Sequence, residues 1–323
     1  MTVQIGKDVF GVAKQSAKGT LVAQPTFAHG LAGGTLKPDI TQEEDPLTST
    51  YLSPNSAFRD GVESGGTPVT RAFVKSVGLY LLGVLGNIAS VGTGPYTHTI
   101  DLGAALPYLS CYQKKGDAAA TILAVRDCKV DALTLSWEQN KPVVLEVAVK
   151  GTTFSFPADF TPSTDETDSV DYFRPVDGTF KLDVDSATPV TAPIKAGSIA
   201  VKRSVETTVY SGSIEPADSD EGNCEVEVSF TIHPADLTDW RAILTGTPSG
   251  TTVSNVPVFG SFEHTFVSGA ASLKLAAGKV AFLTDLPDAD PAGGAADFAL
   301  AGLCYRVSGT PITATLINTQ ASY

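Results

Sequence analysis

Two pairs of carboxylates are the first residues of this chain that could do chemistry. Asp183 and Asp185 lie at positions i and i+2, and so do Glu225 and Glu227. A glycosidase needs two acids that face each other across a cleft at about 5–10 Å, normally from different segments of the chain. Residues i and i+2 of a strand point to the same side instead. We therefore expect solvated acids on exposed strand faces, and a β-sandwich glycosidase is the less favoured function.

Signals for a nucleophile or a metal site are also weak. The chain has no G-x-S-x-G nucleophile elbow, although the members of a Ser-His-acid triad need not be close in sequence. Asp285, Asp288 and Asp290 are grouped like calcium ligands but lack the full D-x-D-x-D-G loop and its distal Glu, so a polar turn is expected. The sequence thus predicts no catalytic residue, no cofactor-binding residue and no metal site, and we do not expect an enzyme.

Neither the cysteines nor the histidines are spaced as metal ligands. The cysteines are far apart and form no CxxC pair, so buried, reduced thiols are expected in a protein made in a cytosol. The histidines show no metal-finger spacing. The residues concerned are Cys111, Cys128, Cys224, Cys304, His29, His98, His233 and His264.

The charge balance excludes further classes of function. The chain carries 35 acidic and 22 basic residues, a net charge of −13, and has no cluster of Lys and Arg that could neutralise a phosphate backbone. Sequence-specific binding to nucleic acid is therefore not expected. The N-terminal residues contain no apolar signal segment. The most apolar stretch, 77–91, is interrupted by glycines and is shorter than the about 20 residues that span a bilayer, so we expect no membrane partner.

Alternation of apolar and polar residues predicts strands in several places. Every second residue is apolar in 143–149 and in 224–232. The first of these follows another alternating segment, 133–137, after a short EQNKP connection, which predicts a β-hairpin. The last strands are expected at 296–307 and 311–318.

Two segments have helical periodicity instead. An apolar stripe in 71–85 ends at Gly86. A second stripe in 234–245 begins at Pro234, which a first helical turn tolerates, and stops before Gly246. Both stripes are expected to face the core. The chain is therefore predicted to be mainly β, with two helices.

Composition divides the chain into four parts. Residues 1–40 are rich in Gly, Ala and Thr without periodicity and are interpreted as an extended N-terminal arm. Residues 157–178 are acidic and rich in Pro, Ser and Thr, which is typical of a linker or long loop. A β unit is predicted on each side of this linker, at 41–156 and at 179–323. We expect the arm and the linker to become ordered on assembly.

The two predicted units share an order of elements. The segment 96–103, YTHTIDLG, follows the first helix, and 262–269, FEHTFVSG, follows the second. Strand region, helix, loop and strand come in the same order in both halves, which predicts duplication of one β-plus-helix unit. His98 and His264 would then hold equivalent structural positions. The alternative is a catalytic or pH-sensing imidazole, but no Cys, Ser or acid partner recurs beside both.

The segment 106–151 carries a set of short patterns. It opens with Leu-Pro, continues with C-K-V-x-x-L-x-L-S, and closes with an alternating strand that ends in Gly. This resembles the middle of the tail-tube proteins of siphophages, phages with long non-contractile tails, except that Asp127 stands where the family has Gly. The opening of the chain is similar to the family's G-K-E-x-x-x-G-T-x-x-x-P arm. The matching residues are Leu106, Pro107, Cys128, Lys129, Val130, Leu133, Leu135, Ser136 and Gly151, with Gly6, Lys7, Gly19, Thr20 and Pro25 in the arm.

The resemblance implies a structural virion protein, the major tail protein. In that family a small β-barrel or sandwich with one helix is the unit, units assemble into rings around a lumen, and stacked rings form the tail tube. DNA would pass through the lumen during ejection without specific binding. The implied partners are further copies of the chain and the tape-measure, tail-terminator and distal tail proteins, and synthesis in the host cytoplasm would precede incorporation into the virion.

Two questions stay open at the level of sequence. With a duplicated unit, three chains would fill a sixfold ring, whereas a hexamer of chains is the alternative. A carbohydrate-binding or adhesin module of β-sandwich type is the other candidate function. Such modules usually display aromatic platforms, but the aromatic residues here mostly fall at alternating core positions.

Overall fold

The computed structural model describes residues 8–44, 56–116, 122–185, 189–233, 238–284 and 297–323. They form a mainly β fold with two helices, which confirms the predicted fold class. The helices are α1 (Val77–Leu85) and α2 (Thr238–Thr245). The strands of the first half are β1 (Val9–Lys14), β2 (Phe27–Gly30), β3 (Leu36–Glu44), β4 (Ala57–Gly66), β5 (Val69–Arg71), β6 (Gly86–Val91), β7 (Tyr96–Leu102), β8 (Leu109–Lys114), β9 (Ile122–Glu138), β10 (Val144–Gly151) and β11 (Thr153–Ser155). Those of the second half are β12 (Thr164–Asp165), β13 (Arg174–Asp183), β14 (Val190–Thr191), β15 (Ile194–Lys202), β16 (Glu206–Thr208), β17 (Asp218–Asp220), β18 (Glu225–Ile232), β19 (Phe259–Ser268), β20 (Ala271–Thr284), β21 (Phe298–Cys304) and β22 (Thr313–Asn318).

The long strand β9 joins a smaller sheet to a larger one. Its first part, 122–128, pairs with β8 and β11, and β8 continues through β1 and β2 to the short parallel strand β12. Its second part, 129–138, pairs with β10 on one side and β15 on the other. One strand therefore belongs to both sheets and fixes their relative position.

The larger sheet runs in the order β4-β10-β9-β15-β18-β21-β20-β19-β13 through antiparallel pairs. β3 lies beyond β4, while β22, β7 and β6 are added along the first half of β20. The pairings among the described strands leave this sheet open and do not close it into a barrel. Because β9 and β15 join the two predicted units in one sheet, the unit boundaries and the duplication stay predictions.

An aromatic core fills the space inside the curved sheet. The ring of Trp137 on β9 lies 4.6 Å from that of His264 and 5.2 Å from that of Phe266, both on β19. Phe230 on β18 and Phe180 on β13 pack edge to face at 4.9 Å. Burial of each such apolar side chain stabilises the fold by about 1.5–3 kcal/mol. The period-2 alternation of these strands thus places one face of each strand in a common core.

The strands with the clearest alternation are confirmed. The predicted segments 143–149 and 224–232 correspond to β10 and β18. β9 and β10 form the predicted hairpin, with Leu135 opposite Leu145. β21 and β22 lie within the two segments predicted as the last strands.

Helix α1 is shorter than predicted and is buried on every side. The helical pattern at 71–85 contains α1, but the chain is still extended at Val69–Arg71, which is β5. All residues of α1 are buried. The helix ends as predicted at Gly86, whose left-handed conformation (φ 97°) lets its N–H bond to the carbonyl of Leu82.

Helix α2 lies within the predicted segment 234–245, of which 234–237 are outside the described residues. Of its own residues only Ala242 is fully buried. Gly246 ends it as predicted, with φ 84° and a hydrogen bond of 2.8 Å from its N–H to the carbonyl of Ala242. In the described part of the chain, no helix has the length and apolar character that a membrane crossing requires.

The interpretation of the N-terminal residues as an extended arm is wrong for residues 8–30. β1 lies between β2 and β8 and has four consecutive buried residues, 10–13. Phe10 is 1% exposed and Phe27 of β2 is also 1% exposed. A strand covered on both faces needs no alternation, so the absence of a period in the sequence did not indicate an absence of structure.

The predicted linker 157–178 is also tied to the fold at several points. β12 pairs with β2, and Glu166 and Phe173 are buried at 3% and 0% exposure. The amide of Phe173 donates to the carbonyl of Ala72 at 3.0 Å. The composition of this segment reflects its many exposed polar residues. The few residues that anchor it to the fold could not be recognised from composition.

Asp127, the departure from the tail-tube pattern, marks the place where β9 changes sheets. Its φ of 55° is a left-handed conformation that Gly adopts freely and that Asp tolerates better than most residues. Its carboxylate accepts hydrogen bonds from the amide of Gly19 at 2.7 Å and from the hydroxyl of Thr152 at 3.2 Å. The Asp therefore keeps the backbone conformation expected of Gly and adds a link to the N-terminal segment.

Candidate assembly surfaces

The two carboxylate pairs differ from each other in the structure. Asp183 is buried at 7% exposure and accepts a hydrogen bond from the amide of Asp185 at 3.1 Å, so the prediction of a solvated pair is wrong for Asp183. Glu225 and Glu227 do share the outward face of β18, as predicted. Glu227 binds the ammonium group of Lys202 at 2.6 Å. Glu225 and Glu227 are therefore surface residues of a strand.

His98 is buried in a complete set of hydrogen bonds. Its Nε2 lies 2.8 Å from the carbonyl oxygen of Gln320, which can only accept, so Nε2 carries the proton. Its Nδ1 then accepts from the hydroxyl of Ser90 at 2.7 Å. These contacts fasten the C-terminal residues to β7 and support the structural interpretation of this histidine.

His264 is held by aromatic rings. Its ring lies 3.9 Å from that of Phe266, and burial lowers its pKa to about 3. The imidazole is therefore neutral throughout the physiological range, which argues against a pH sensor at this position. His98 and His264 thus share burial on a strand but have different surroundings.

The cysteines are free thiols; Cys111 and Cys128 are buried as predicted, whereas Cys224 and Cys304 are only partly buried. Burial raises the pKa of Cys128 and raises that of Cys304 to about 12, so neither is a reactive thiolate. Within the described residues, no group of three or more His, Cys, Asp or Glu side chains is arranged to hold a metal ion. The predicted polar turn with Asp285, Asp288 and Asp290 lies outside those residues.

The outward side of β9, β15, β18 and β21 consists mainly of small side chains. Cross-strand pairing places Ser136, Ser198, Ser229 and Ala301 in one row across the four strands. The neighbouring rows are Thr134, Ala200, Glu227 and Leu303 on one side, and Glu138, Ala196, Thr231 and Ala299 on the other. These residues are termed the smooth face. The alternate residues of the same strands point into the core.

The two charged residues of the smooth face are acidic, and both are paired. Glu138 binds Lys141 at 2.5 Å, and Glu227 binds Lys202 at 2.6 Å. The hydrogen bond to Glu227 raises the pKa of Lys202. The face therefore presents hydroxyl and methyl groups, with each charge neutralised by a neighbour.

The β3–β4 hairpin projects from the larger sheet. β3 and β4 pair with each other along their length, but only residues 64–66 of β4 also pair with β10. Most of the hairpin is exposed, including Ile40 at 40% and Phe58 at 49%. A two-stranded ribbon is at best marginally stable in water, so this hairpin with its exposed apolar side chains is a candidate interaction site.

Several strands have an unpaired side among the described residues. Two of them are β6, which pairs with β7 only, and β14, which pairs with β13 only. The outer N–H and C=O groups of such strands are templates for pairing with another chain. Val91 at the end of β6 is 65% exposed, so this edge is open to a partner.

The sequence contained a signal for the smooth face that its interpretation missed. The polar alternates of β18 were expected to be exposed, but the small size of Ser229 and Thr231 was not used. The pairing of β9 with β15 could not be read from the pattern, since residues 139–193 separate them.

A sequence model of the family described as "Phage tail tube protein" matches residues 7–308, nearly the whole chain. A search of curated proteins finds no match.

Proposed function

Because the chain belongs to the phage tail tube protein family, we propose that copies of it assemble into rings, that the rings stack into the tail tube, and that DNA passes through this tube during ejection. Members of this family are structural proteins of the phage tail, so the protein would be located in the virion. Synthesis in the host cytoplasm comes before assembly.

The β3–β4 hairpin is the observation that carries the assembly step. It leaves the larger sheet at residues 64–66 and exposes Ile40 and Phe58 on a ribbon without a core of its own. Another copy of the chain would cover these side chains and stabilise the ribbon. The open sides of β6 and β14 would gain backbone partners in the same assembly.

Substitution of Phe58 tests this step. Covering the exposed half of a Phe side chain is worth about 1 kcal/mol, which corresponds to about a fivefold change in an association constant. We expect Phe58→Ser to raise the protein concentration needed for assembly by at least about that factor, measured by sedimentation. The matched control is Phe156→Ser, an aromatic residue that is 70% exposed outside the hairpin.

The control should assemble at the same concentration as the unmodified chain. Circular dichroism should show the same β spectrum for both variants, because neither side chain is in the core. Assembly of Phe58→Ser at the concentration of the unmodified chain would contradict the proposed role of the hairpin.

Three chains per ring are the stoichiometry that the predicted duplication favours. If 41–156 and 179–323 each supply one unit, three chains fill six positions, and the two units lie about 60° apart around the axis. The presence of one helix followed by a strand with a buried histidine in each half supports this arrangement. Six chains per ring is the alternative, and native mass spectrometry of a soluble ring distinguishes the two.

Further tail components complete the proposed assembly. A tape-measure protein inside the tube, a terminator at one end and a distal tail protein at the other are the partners that the family implies. The terminator and the distal tail protein would each contact a ring surface that otherwise stacks on the next ring, whereas the tape-measure protein would contact the inside of the tube.

A further inference from the structure

We propose that a cavity beside the start of α1 is a binding site for an aliphatic ammonium group, and that the carboxylate of Glu166 is its anionic partner. The cavity has a volume of about 300 Å³ and is bordered by the end of β12, the turn between β19 and β20, and the residues that follow β22. This volume lies at the lower end of the range of small-ligand sites. The site would belong to the single chain, so the proposal does not depend on assembly into a tube.

Glu166 is the buried acid of this cavity. It is 3% exposed, and its amide donates to the carbonyl of Ala28 at 2.7 Å, which fixes the residue against β2. One carboxylate oxygen, Oε1, accepts a hydrogen bond of 3.3 Å from the amide of Lys75. Ser76 lies close to the carboxyl group, but its hydroxyl is not placed to donate to it, and Oε2 has no hydrogen-bond partner among the described residues. A buried carboxylate oxygen without a donor is unfavourable, so the geometry leaves Oε2 available to a ligand.

The charges around Glu166 favour a cation as that ligand. Burial raises the pKa of Glu166 to about 7, and the nearby hydroxyl of Ser76 and amide of Lys75 offset this effect only in part. Among the described residues that line the cavity are two further acids, Asp165 and Asp171, and one basic residue, Lys75, all three exposed. A cationic ligand would therefore meet an excess of negative charge and would stabilise the ionised form of the buried carboxyl group.

The lining suits an alkyl chain better than a metal ion. In the part of the chain that the structure describes, no group of three or more His, Cys, Asp or Glu side chains is arranged as metal ligands. Val74, Pro95 and Ala271 border the cavity and offer apolar contacts to methylene groups. An ammonium group on a short alkyl chain uses both features, since its N–H groups donate to the carboxylate while the chain covers the apolar wall. Such a group belongs either to a free amine or to a lysine of a neighbouring copy.

Calorimetric titration of the unassembled chain with n-butylammonium tests the site at about pH 8, where the ligand and Glu166 are both charged. We expect a dissociation constant on the order of 1 mM, and no binding of 1-butanol, which has the same chain without the charge. Glu166→Gln keeps an oxygen for the Lys75 amide but removes the charge, so it should weaken binding about tenfold or more. Asp168→Asn is the matched control and should bind like the unmodified chain, because Asp168 is an exposed acid of the same segment outside the cavity lining.

A second variant tests the site if Glu166→Gln does not fold. Ala270 is exposed in the turn between β19 and β20 and borders the cavity. The long side chain of Ala270→Lys can place its own ammonium group in the cavity, so butylammonium binding should be lost while the circular dichroism spectrum stays unchanged.

The source of the natural ligand follows from the same titration on assembled tubes. Binding by the unassembled chain but not by tubes would indicate that a neighbouring copy occupies the cavity. Binding by both would indicate a site for a free amine.

Two results would overturn the proposal. If the unmodified chain binds no butylammonium well above 1 mM, Glu166 only fastens the residues before α1 through the amide of Lys75. Equal binding by the unmodified chain and by Glu166→Gln would show that the ammonium group binds elsewhere. Failure of the chain to form tubes is a different result, because it would contradict the proposed function and leave the titration of the unassembled chain unaffected.

Discussion

Substitutions of Asp127 separate two contributions to stability, the strain of its backbone conformation and the hydrogen bonds of its carboxylate. The backbone there is left-handed, with φ 55°, and the carboxylate accepts hydrogen bonds from the amide of Gly19 and the hydroxyl of Thr152. Hydrogen bonds to a charged group contribute about 1.5–3 kcal/mol each, and a left-handed conformation costs an ordinary residue about 1–2 kcal/mol. Asp127→Ala loses the bonds and keeps the strain, Asp127→Gly loses the bonds but relieves the strain, and Asp127→Asn keeps an acceptor oxygen.

The free energy of unfolding should therefore decrease by about 3–4 kcal/mol in the Ala variant, about 2 kcal/mol in the Gly variant and about 1 kcal/mol in the Asn variant. Urea titration with a constant m-value measures these differences. Asp159→Ala is the control, since Asp159 forms an exposed ion pair with Lys114 and should leave the midpoint unchanged. Equal losses for Ala and Gly would refute the role of backbone strain, and a Gly variant as stable as the original would refute that of the carboxylate.

Three further outcomes follow from buried groups. The pKa of His264 is about 3 in the folded chain against an ordinary 6.5, so the unfolded chain takes up the proton first as the pH decreases. The free energy of unfolding of the unmodified chain, measured relative to His264→Phe by denaturation, should therefore fall by about 1.4 kcal/mol per pH unit between pH 6.5 and 3. A Cβ on Gly78 would lie 2.4 Å from the ring of Tyr323, so Gly78→Ala should destabilise the protein by about 1–3 kcal/mol, whereas Gly30→Ala, whose Cβ would have 3.8 Å to its nearest neighbour, should be neutral in the same assay. The four thiols are free, so tube formation should be indifferent to reductant, and an intact-mass measurement that finds a disulfide would contradict this.

The parts of the fold that could be predicted are those in which one face of an element is buried. β10 and β18 alternate between core and surface, and their sequences alternate accordingly. Gly86 and Gly246 were recognisable as helix ends because each provides a left-handed residue after the last turn. β1 was missed because it is covered on both faces.

The candidate surfaces were less predictable because they depend on which strands become neighbours. The small residues at 196–200 and 299–301 are visible in the sequence, but only the pairing of β15 with β9 and of β18 with β21 aligns them into rows. Asp183 was assigned to an exposed face because the position of β13 beside β19 was not recognisable. The alternation of residues along a strand shows which side chains share a face. Which other strands lie beside that face depends on pairing between segments far apart in the sequence.

Electron microscopy of the purified chain alone tests the central claim most directly. A structural tail-tube protein that assembles through its own hairpin and sheet edges should form tubes of uniform width without any other phage component, and averaged images should show sixfold or pseudo-sixfold rings. Monomers that remain dispersed at high concentration and bind glycans would contradict the account and would favour a carbohydrate-binding module.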